Sequence, residues 1–194
     1  MSRFILASQS PRRRQLLQDA GYSVTCHNPA VEELCDAEKP RELVSLNASL
    51  KAMEVAVKFP DAVVLAADTL VVFAGEIFGK PADMADAFRM LRKLSGAIHE
   101  VLTGVCIVKF DSMRICRFED RSYVKFRTLT DAMIEEYFRD INPLDKAGAY
   151  AAQEDNGRII ECIEGSLTNV IGLPMERLQL AMAEHFPEIV SGKI

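Results

Sequence analysis

Residues 62–69 read Ala-Val-Val-Leu-Ala-Ala-Asp-Thr, six apolar side chains followed directly by a carboxylate and a hydroxyl. An uninterrupted apolar run of this length predicts a strand that is covered on both faces, as strands of α/β sheets are. The strand is expected to end at Asp68, in the position where open α/β sheets bind ligands. Asp68 is therefore a candidate to hold a divalent cation or to orient a water molecule for attack on phosphorus. Capping of the next turn is the alternative interpretation of Asp68.

The first residues of the chain predict a short strand that is followed by a helix. Residues 4–7 (Phe-Ile-Leu-Ala) are typical of a short buried strand, and Ser10 and Pro11 are typical of an N-cap and a first helical residue. Arginines at positions 12–14 oppose the helix dipole, an arrangement that is favourable if an anion such as phosphate binds there. Ser8 adds a hydroxyl donor. Solvated arginines on a capped helix are the alternative.

The other predicted elements define the fold class. Strands are expected over 22–27, 70–72, 77–78, 101–110, 114–126 and 158–163, and helices over 11–20, 40–59, 82–94, 130–140 and 173–186. These β–α units and the long hairpin predict an α/β fold with a mixed sheet. No repeat or linker interrupts the chain, so one domain over residues 1–194, with two lobes, is expected.

The long helix over 40–59 carries one apolar stripe at alternating steps of three and four residues. The stripe consists of Leu43, Leu46, Leu50, Met53 and Val57. Lys51 lies on a different line with Asn47 and Val55, so its side chain is expected to point away from the stripe, towards solvent or a cleft.

Further candidates depend on what the fold brings together. Residues 75–81 imitate a Walker A loop, but the spacing is one residue short and Pro81 replaces the magnesium-binding hydroxyl, so a P-loop is rejected and Lys80 alone is kept as a phosphate ligand. Glu33 is a metal ligand only if it lies beside Asp68; otherwise it is solvated surface. Residues 145–153 and 165–174 contain small residues that allow a ligand to approach the backbone. The second segment is no G-x-S-x-G elbow, which leaves serine hydrolysis without support.

Composition excludes several classes of function. The chain has 194 residues, 49% of them hydrophobic, and a net charge of −5. The charge and the absence of aromatic residues interleaved with a basic stretch argue against a nucleic-acid binder. No apolar run is long enough to span a membrane, and no signal peptide is recognised. Five cysteines without C-x-x-C spacing indicate a reducing compartment, so a cytoplasmic location is expected.

Seven segments, in order along nearly the whole chain, resemble the Maf family of nucleoside triphosphate pyrophosphatases. They are residues 6–13 (LASQSPRR), 67–69 (ADT), 79–81 (GKP), 91–96 (LRKLSG), 126–127 (FR), 145–153 (DKAGAYAAQ) and 169–174 (NVIGLP). The resemblance implies a two-lobed Maf/ITPase-like fold, in which helices flank a central mixed β-sheet and the active-site cleft lies between the lobes. It also implies hydrolysis of a nucleotide to the monophosphate and pyrophosphate, with a divalent cation (Mg²⁺ or Mn²⁺) as cofactor.

The resemblance also implies roles for individual residues. Phosphate binding would fall to Ser8, Arg13, Lys51 and Lys80. Glu33 and Asp68 would serve the metal and the water, with Asp68 as proton acceptor. This chemistry agrees with the residues, because a phosphoryl-transfer transition state mainly requires fixed cations and a metal.

Three positions bear on substrate choice. Arg12, Thr69 and Gln153 resemble the family branch that acts on dTTP and UTP, and their side chains are able to pair with the edge of a pyrimidine. Glu154 and Asp155 after Gln153, and Leu167 where a Tyr is common, depart from the family pattern and concern substrate preference. The partner is thus a small nucleotide; the oligomeric state is open, with a homodimer as one option. The alternative function is a nucleotide-sensing regulatory protein, linked to cell division and with little turnover.

Overall fold

The computed structural model describes residues 3–35 and 39–189. Within these residues the strands are β1 (Phe4–Ala7), β2 (Thr25–His27), β3 (Val63–Phe73), β4 (Glu76–Phe78), β5 (Ile98–Lys109), β6 (Arg114–Phe126) and β7 (Ile160–Glu164). The helices are α1 (Pro11–Asp19), α2 (Pro40–Lys58), α3 (Met84–Leu94), α4 (Asp131–Asp140), α5 (Leu167–Ile171) and α6 (Met175–His185). Two short 3₁₀ turns, Ala147–Ala149 and Ala152–Glu154, lie between α4 and β7.

All the strands belong to one mixed sheet, in the order β2-β1-β3-β5-β6-β7, with β4 beside β3. β1 pairs in parallel with β2 and β3, and the remaining pairs are antiparallel. Helices flank this sheet, which confirms the predicted α/β class with a central mixed sheet.

Strand β3 does not end at Asp68, and this part of the prediction was wrong. β3 continues to Phe73, and its pairing with β5 is unbroken from Val63 to Val72. The apolar run ends at Asp68 because the covering elements change there, while the backbone ladder with β5 continues. β1 pairs with β3 only as far as Leu65, and β4 pairs with it only from Val71. Asp68 therefore lies in the middle of β3, in the stretch between the part that pairs with β1 and the part that pairs with β4.

The apolar stripe predicted on α2 lies mostly in solvent. Leu46 is 51% exposed and Val57 is 57% exposed, and of the stripe only Leu43 is fully buried. The face that packs on the sheet instead carries small or polar side chains: Val44, Asn47, Ala48, Lys51, Ala52, Val55 and Ala56. Small residues bury this face because the helix lies very close to the sheet.

Three groups of packed side chains divide the molecule into two lobes that share the long strands β3, β5 and β6. In one lobe, α2 covers one face of the sheet near β1, and α1 and α6 cover the other. In the other lobe, α3, α4, β4 and the 3₁₀ turns surround Tyr137 and Phe126. A cleft of about 570 Å³ lies between the lobes. The predicted two-lobed arrangement is confirmed.

The last predicted helix, over 173–186, is shorter than expected, and a separate helix, α5, precedes it. Ser166 caps α5 by accepting a hydrogen bond from the backbone of Asn169, and Gly172 ends it with a φ of 124°. No helix among the described residues is long and apolar enough to cross a membrane. The expectation of one domain over 1–194 stays a prediction, since residues 1–2, 36–38 and 190–194 lie outside the described residues.

Candidate active site

The carboxylate of Asp68 is held by two side chains of α2. Lys51 Nζ donates to Asp68 Oδ1 at 2.7 Å, and Asn47 Nδ2 donates to Asp68 Oδ2 at 3.1 Å. Because Asn47 and Lys51 are four residues apart on α2, they lie on the same face of the helix. All three side chains are nearly buried, with Asp68 6% exposed. The carboxylate is thus fixed in orientation before any ligand binds.

A glycine on the neighbouring strand brings α2 this close. Gly104 of β5 lies directly opposite Asp68 in the sheet. A Cβ atom on Gly104 would lie 2.4 Å from the backbone oxygen of Val44 on α2. Since this separation is far below van der Waals contact, only glycine allows α2 to lie on the sheet at this position.

Lys51 forms ion pairs with both Asp68 and Glu33. The ammonium nitrogen of Lys51 lies 2.7 Å from Glu33 Oε1, the same distance as from Asp68 Oδ1. The condition set by the sequence for Glu33 is therefore met: it lies next to Asp68. The Glu33 side chain is 58% exposed, so one carboxylate of the pair is buried and the other faces the cleft.

The junction between β1 and α1 places Ser8 and Arg13 in the cleft. Arg13 donates through Nη1 to Ser8 Oγ (3.2 Å), through Nη2 to Thr69 Oγ1 (3.0 Å), and through Nε to the backbone oxygen of Gly172 (2.8 Å). Burial lowers the pKa of the Arg13 guanidinium below its usual value, although Asp68 opposes this shift. A guanidinium has five N–H donors, so two are left for a ligand. Ser10 caps α1 as predicted.

Arg12 reaches across the cleft to the other lobe. Its Nη1 donates to Asp145 Oδ2 at 2.7 Å, and its Nη2 donates to the Asp145 backbone oxygen at 3.1 Å. Desolvation raises the pKa of Asp145, but hydrogen bonds from Lys146 and Arg12 outweigh this and hold the pKa below its usual range. No pattern in the sequence indicated that Asp145 pairs with Arg12.

Thr69 points to the opposite face of the sheet from Asp68, because successive residues of a strand alternate. Its hydroxyl lies 3.0 Å from that of Thr103 and accepts the hydrogen bond from Arg13. Both Asp68 and Thr69 line the cleft. The gap in the sheet beside β3 leaves both faces of the strand open to it.

Lys80 and Gln153 lie at the rim of the cleft, where both are exposed. Lys80 forms no ion pair with any described residue. The Gln153 amide donates to Glu154 Oε1 at 2.8 Å. Asp155 is buried and accepts hydrogen bonds from the backbone of Ile159 and Ile160, so it stabilises the loop and does not face a ligand.

All nine site residues expected from the sequence line this one cleft. They are Ser8, Arg12, Arg13, Glu33, Lys51, Asp68, Thr69, Lys80 and Gln153. Five lysine and arginine side chains and three carboxylates line the cleft, although the whole chain carries a net charge of −5. The local excess of positive charge suits an anionic ligand. Leu167, by contrast, is exposed outside the cleft.

The donor set also fits a hard divalent cation. Glu33 Oε1 and Asp68 Oδ1 both lie 2.7 Å from Lys51 Nζ, so the two carboxylates converge on one side of the cleft. Mg²⁺ is commonly held by one or two carboxylates together with substrate phosphates and water. Among residues 3–35 and 39–189, no cluster of three or more His, Cys, Asp or Glu side chains forms a complete metal cage. Water molecules, and the phosphates of a bound nucleotide, would therefore supply the remaining ligands.

Comparison with solved structures gives the class of protein. The fold matches the Ham1 protein of Staphylococcus aureus with a TM-score of 0.57, at 18% identity, covering 94% of this chain and 99% of that one. A HAM1 protein from Coxiella burnetii matches with a TM-score of 0.56 at 16% identity, covering 95% of this chain and all of the other. The chain is thus an α/β protein of the Ham1 fold, with a cationic cleft between its lobes.

The chain belongs to the Maf family: the model of the Maf-like proteins matches residues 3–185. A protein of Symbiobacterium thermophilum named dTTP/UTP pyrophosphatase is 42% identical over 194 residues, covering 99% of both chains. Proteins with the same name from Anaeromyxobacter dehalogenans and Pyrococcus furiosus are 45% and 43% identical, covering 95% and 90% of this chain and 95% and 91% of their own. The family named from the sequence is confirmed.

Proposed function

We propose that the protein hydrolyses dTTP and UTP to the nucleoside monophosphate and pyrophosphate. The observation that carries this proposal is the oriented, buried Asp68 carboxylate in a cleft with an excess of positive charge. The name shared by relatives that are 42–45% identical over at least 90% of the chain supports the substrate and the reaction.

In the proposed reaction, a water molecule attacks phosphorus and the anhydride bond between the α- and β-phosphates breaks. Asp68 accepts the proton of the water. Each of its oxygens accepts one hydrogen bond from α2, which leaves a further lone pair on each for the water. Lys51 orients the carboxylate through its hydrogen bond to Oδ1. Pyrophosphate leaves, and the monophosphate carries the new oxygen.

The phosphates meet groups from both lobes. Two N–H groups of Arg13 and the hydroxyl hydrogen of Ser8 are free to donate, because Ser8 Oγ only accepts in its contacts with Ser10 and Arg13. Lys80 reaches the phosphates from the rim. Fixed cations of this kind stabilise the charge that spreads over the phosphoryl oxygens in the transition state.

Glu33 and Asp68 are proposed to hold the cofactor, a Mg²⁺ or Mn²⁺ ion. Such an ion would neutralise charge on the phosphate oxygens. Both carboxylates are already oriented by Lys51, so the chain itself positions the ligands.

Arg12, Thr69 and Gln153 are proposed to select the base. Arg12 is fixed by Asp145, and Thr69 by Arg13 and Thr103, so two of the three polar groups have set directions. A site that hydrogen-bonds a particular base edge rejects bases that leave its groups unpaired.

The test is a panel of dTTP, UTP, dCTP, CTP, ATP and GTP with Mg²⁺, in which pyrophosphate and orthophosphate are measured separately. We expect pyrophosphate from dTTP and UTP. Orthophosphate release, or a preference for purine nucleotides, would contradict the proposal. Tight binding of nucleotides without turnover would instead support the sensing alternative.

We also propose a cytoplasmic location and no partnership with nucleic acid. Cys26, Cys35 and Cys162 are exposed free thiols, which suits a reducing compartment. The net charge of −5 opposes a polyanionic partner. A homodimer stays a prediction, and sedimentation analysis would test it.

A further inference from the structure

Asn47 forms hydrogen bonds to two separate parts of the candidate site. Its side chain is 2% exposed, and both of its polar atoms are used. Oδ1 accepts from the backbone N–H of Leu34 at 2.8 Å, while Nδ2 donates to the Leu34 carbonyl at 3.2 Å and to Asp68 Oδ2 at 3.1 Å. One buried amide thus joins the segment that carries Glu33 to the carboxylate of Asp68.

Among the described residues, few other contacts hold residues 31–35, the segment that carries Glu33. Residues 31–35 form neither helix nor strand, and from residue 32 onwards they are exposed. Leu34 itself is 46% exposed, so its side chain does not anchor the segment in the core. The described contacts from this segment to α2 are the two backbone hydrogen bonds to Asn47 and the ion pair of Glu33 with Lys51.

We infer that Asn47 is a positioning residue that sets the spacing and orientation of Glu33 and Asp68 as a pair of metal ligands. This inference rests on the proposed function, in which these two carboxylates serve the divalent cation. Asn47 itself does not contact the nucleotide in this scheme. It acts through the two carboxylates.

Only an amide meets these demands at position 47. An aspartate would still accept from the Leu34 N–H, but it would have no hydrogen to donate and would add a negative charge beside Asp68 and Glu33. An alanine would leave the Leu34 backbone groups and Asp68 Oδ2 without this partner. Partners that orient metal ligands commonly change metal affinity by about 10- to 100-fold when they are replaced.

The inference is tested with the variants Asn47→Ala and Asn47→Asp in the full chain. Binding of Mn²⁺ to nucleotide-free protein is measured by electron paramagnetic resonance, and exchange of the Leu34 amide by hydrogen–deuterium exchange. We expect Asn47→Ala to weaken Mn²⁺ binding about 10- to 100-fold and to expose the Leu34 amide to exchange. Asn47→Asp is expected to keep the Leu34 amide protected, because its acceptor is retained, and still to lower kcat.

Ser49→Ala is the matched control. Ser49 lies on the same helix and donates to the backbone oxygen of Ser45 at 2.8 Å. Its loss is expected to leave Mn²⁺ binding and Leu34 exchange unchanged, which separates positioning from a general loss of helix stability.

Wild-type Mn²⁺ affinity and wild-type Leu34 protection in Asn47→Ala would overturn the inference. Absence of Mn²⁺ binding to the wild-type protein would overturn its metal half, while Leu34 exchange would still decide whether Asn47 holds the segment. Failure of the proposed function shows differently, as a wild-type protein that releases no pyrophosphate from any nucleotide of the panel.

Discussion

Gly104 lies directly opposite Asp68 in the pairing of β5 with β3, and its missing side chain lets α2 pack on the sheet at that point. The same close approach places Asn47 and Lys51 within hydrogen-bonding distance of the Asp68 carboxylate. The geometry of the candidate site therefore depends on a glycine that does not line the cleft.

Gly104→Ala is expected to lower both stability and turnover. The added methyl group would meet the backbone of Val44 at 2.4 Å, and backbone yields less readily than a side chain. Overpacking of this kind costs about 1–3 kcal/mol in the free energy of unfolding. Urea denaturation measures the loss. Gly79→Ala is the control for stability, because a Cβ there has no neighbour within 4 Å; an equal loss in both variants would contradict the explanation.

Asp68→Asn is expected to abolish most turnover and leave the fold intact. The amide keeps the size of the carboxylate but removes its ability to accept a proton from water. Loss of a general base lowers rates by about 10²- to 10⁴-fold. Pyrophosphate release measures the rate, and circular dichroism checks the fold. A variant with a near-normal rate would show that Asp68 is not the proton acceptor.

Arg12→Lys is expected to raise the KM for dTTP and UTP about tenfold, with a smaller change in kcat, because an ammonium lacks the planar fork that contacts the Asp145 side chain and backbone together. Arg14→Lys is the matched control, since Arg14 is an exposed neighbour on α1 outside the cleft. Steady-state kinetics on both nucleotides gives the two constants. Equal effects in both variants would mean that Arg12 has no special place in substrate binding.

His99 is expected to make the fold less stable as the pH falls. Burial lowers the pKa of His99 from 6.5 to about 4. Its Nε2 lies 2.9 Å from the Tyr150 hydroxyl, while its buried Nδ1 has no partner among the described residues, so a proton there would be unpaired. Between pH 6.5 and 4 the unfolded chain binds the extra proton, and stability therefore falls with pH across this window.

The full effect of His99 is about 3 kcal/mol between neutral pH and pH 4. Urea unfolding at pH 7, 6, 5 and 4.5 measures it, and His99→Gln, which does not titrate, is expected to show a flatter dependence over this range. The hydrogen bond from Arg114 lowers the pKa of Glu188 to about 2. Protonation of Glu188 therefore reduces the stability of the fold only below about pH 4.5. Identical slopes for His99→Gln and wild type would rule out the role of His99.

The junction of β1 with α1 was predictable because its signals are local. Ser10 and Pro11 occupy the cap and the first turn as expected. The buried face of α2 could not be predicted from the sequence, because it depends on how closely the helix lies to the sheet. Large side chains such as Leu46 fit only on the solvent side of a helix in close contact, so the most apolar stripe faces outwards.

In the candidate site, too, some residues could be predicted from the sequence and others could not. Its charged residues were recognisable from their types and from the ordered family motifs. Asn47 and Asp145 were not, since their partners Leu34, Asp68 and Arg12 lie 13 to 133 positions away in the chain. A polar residue four positions before Lys51, on the same helix line, was the one available signal for Asn47.

Strand β3 presents two consecutive residues to two separate groups of neighbours. Asp68 faces α2, while Thr69 faces Arg13 of α1 and the end of α5. In the proposed function, the proton acceptor and one of the residues that select the base therefore lie on opposite faces of the same strand. Evolution or design could therefore retune recognition around Thr69 while the environment of Asp68 stays the same.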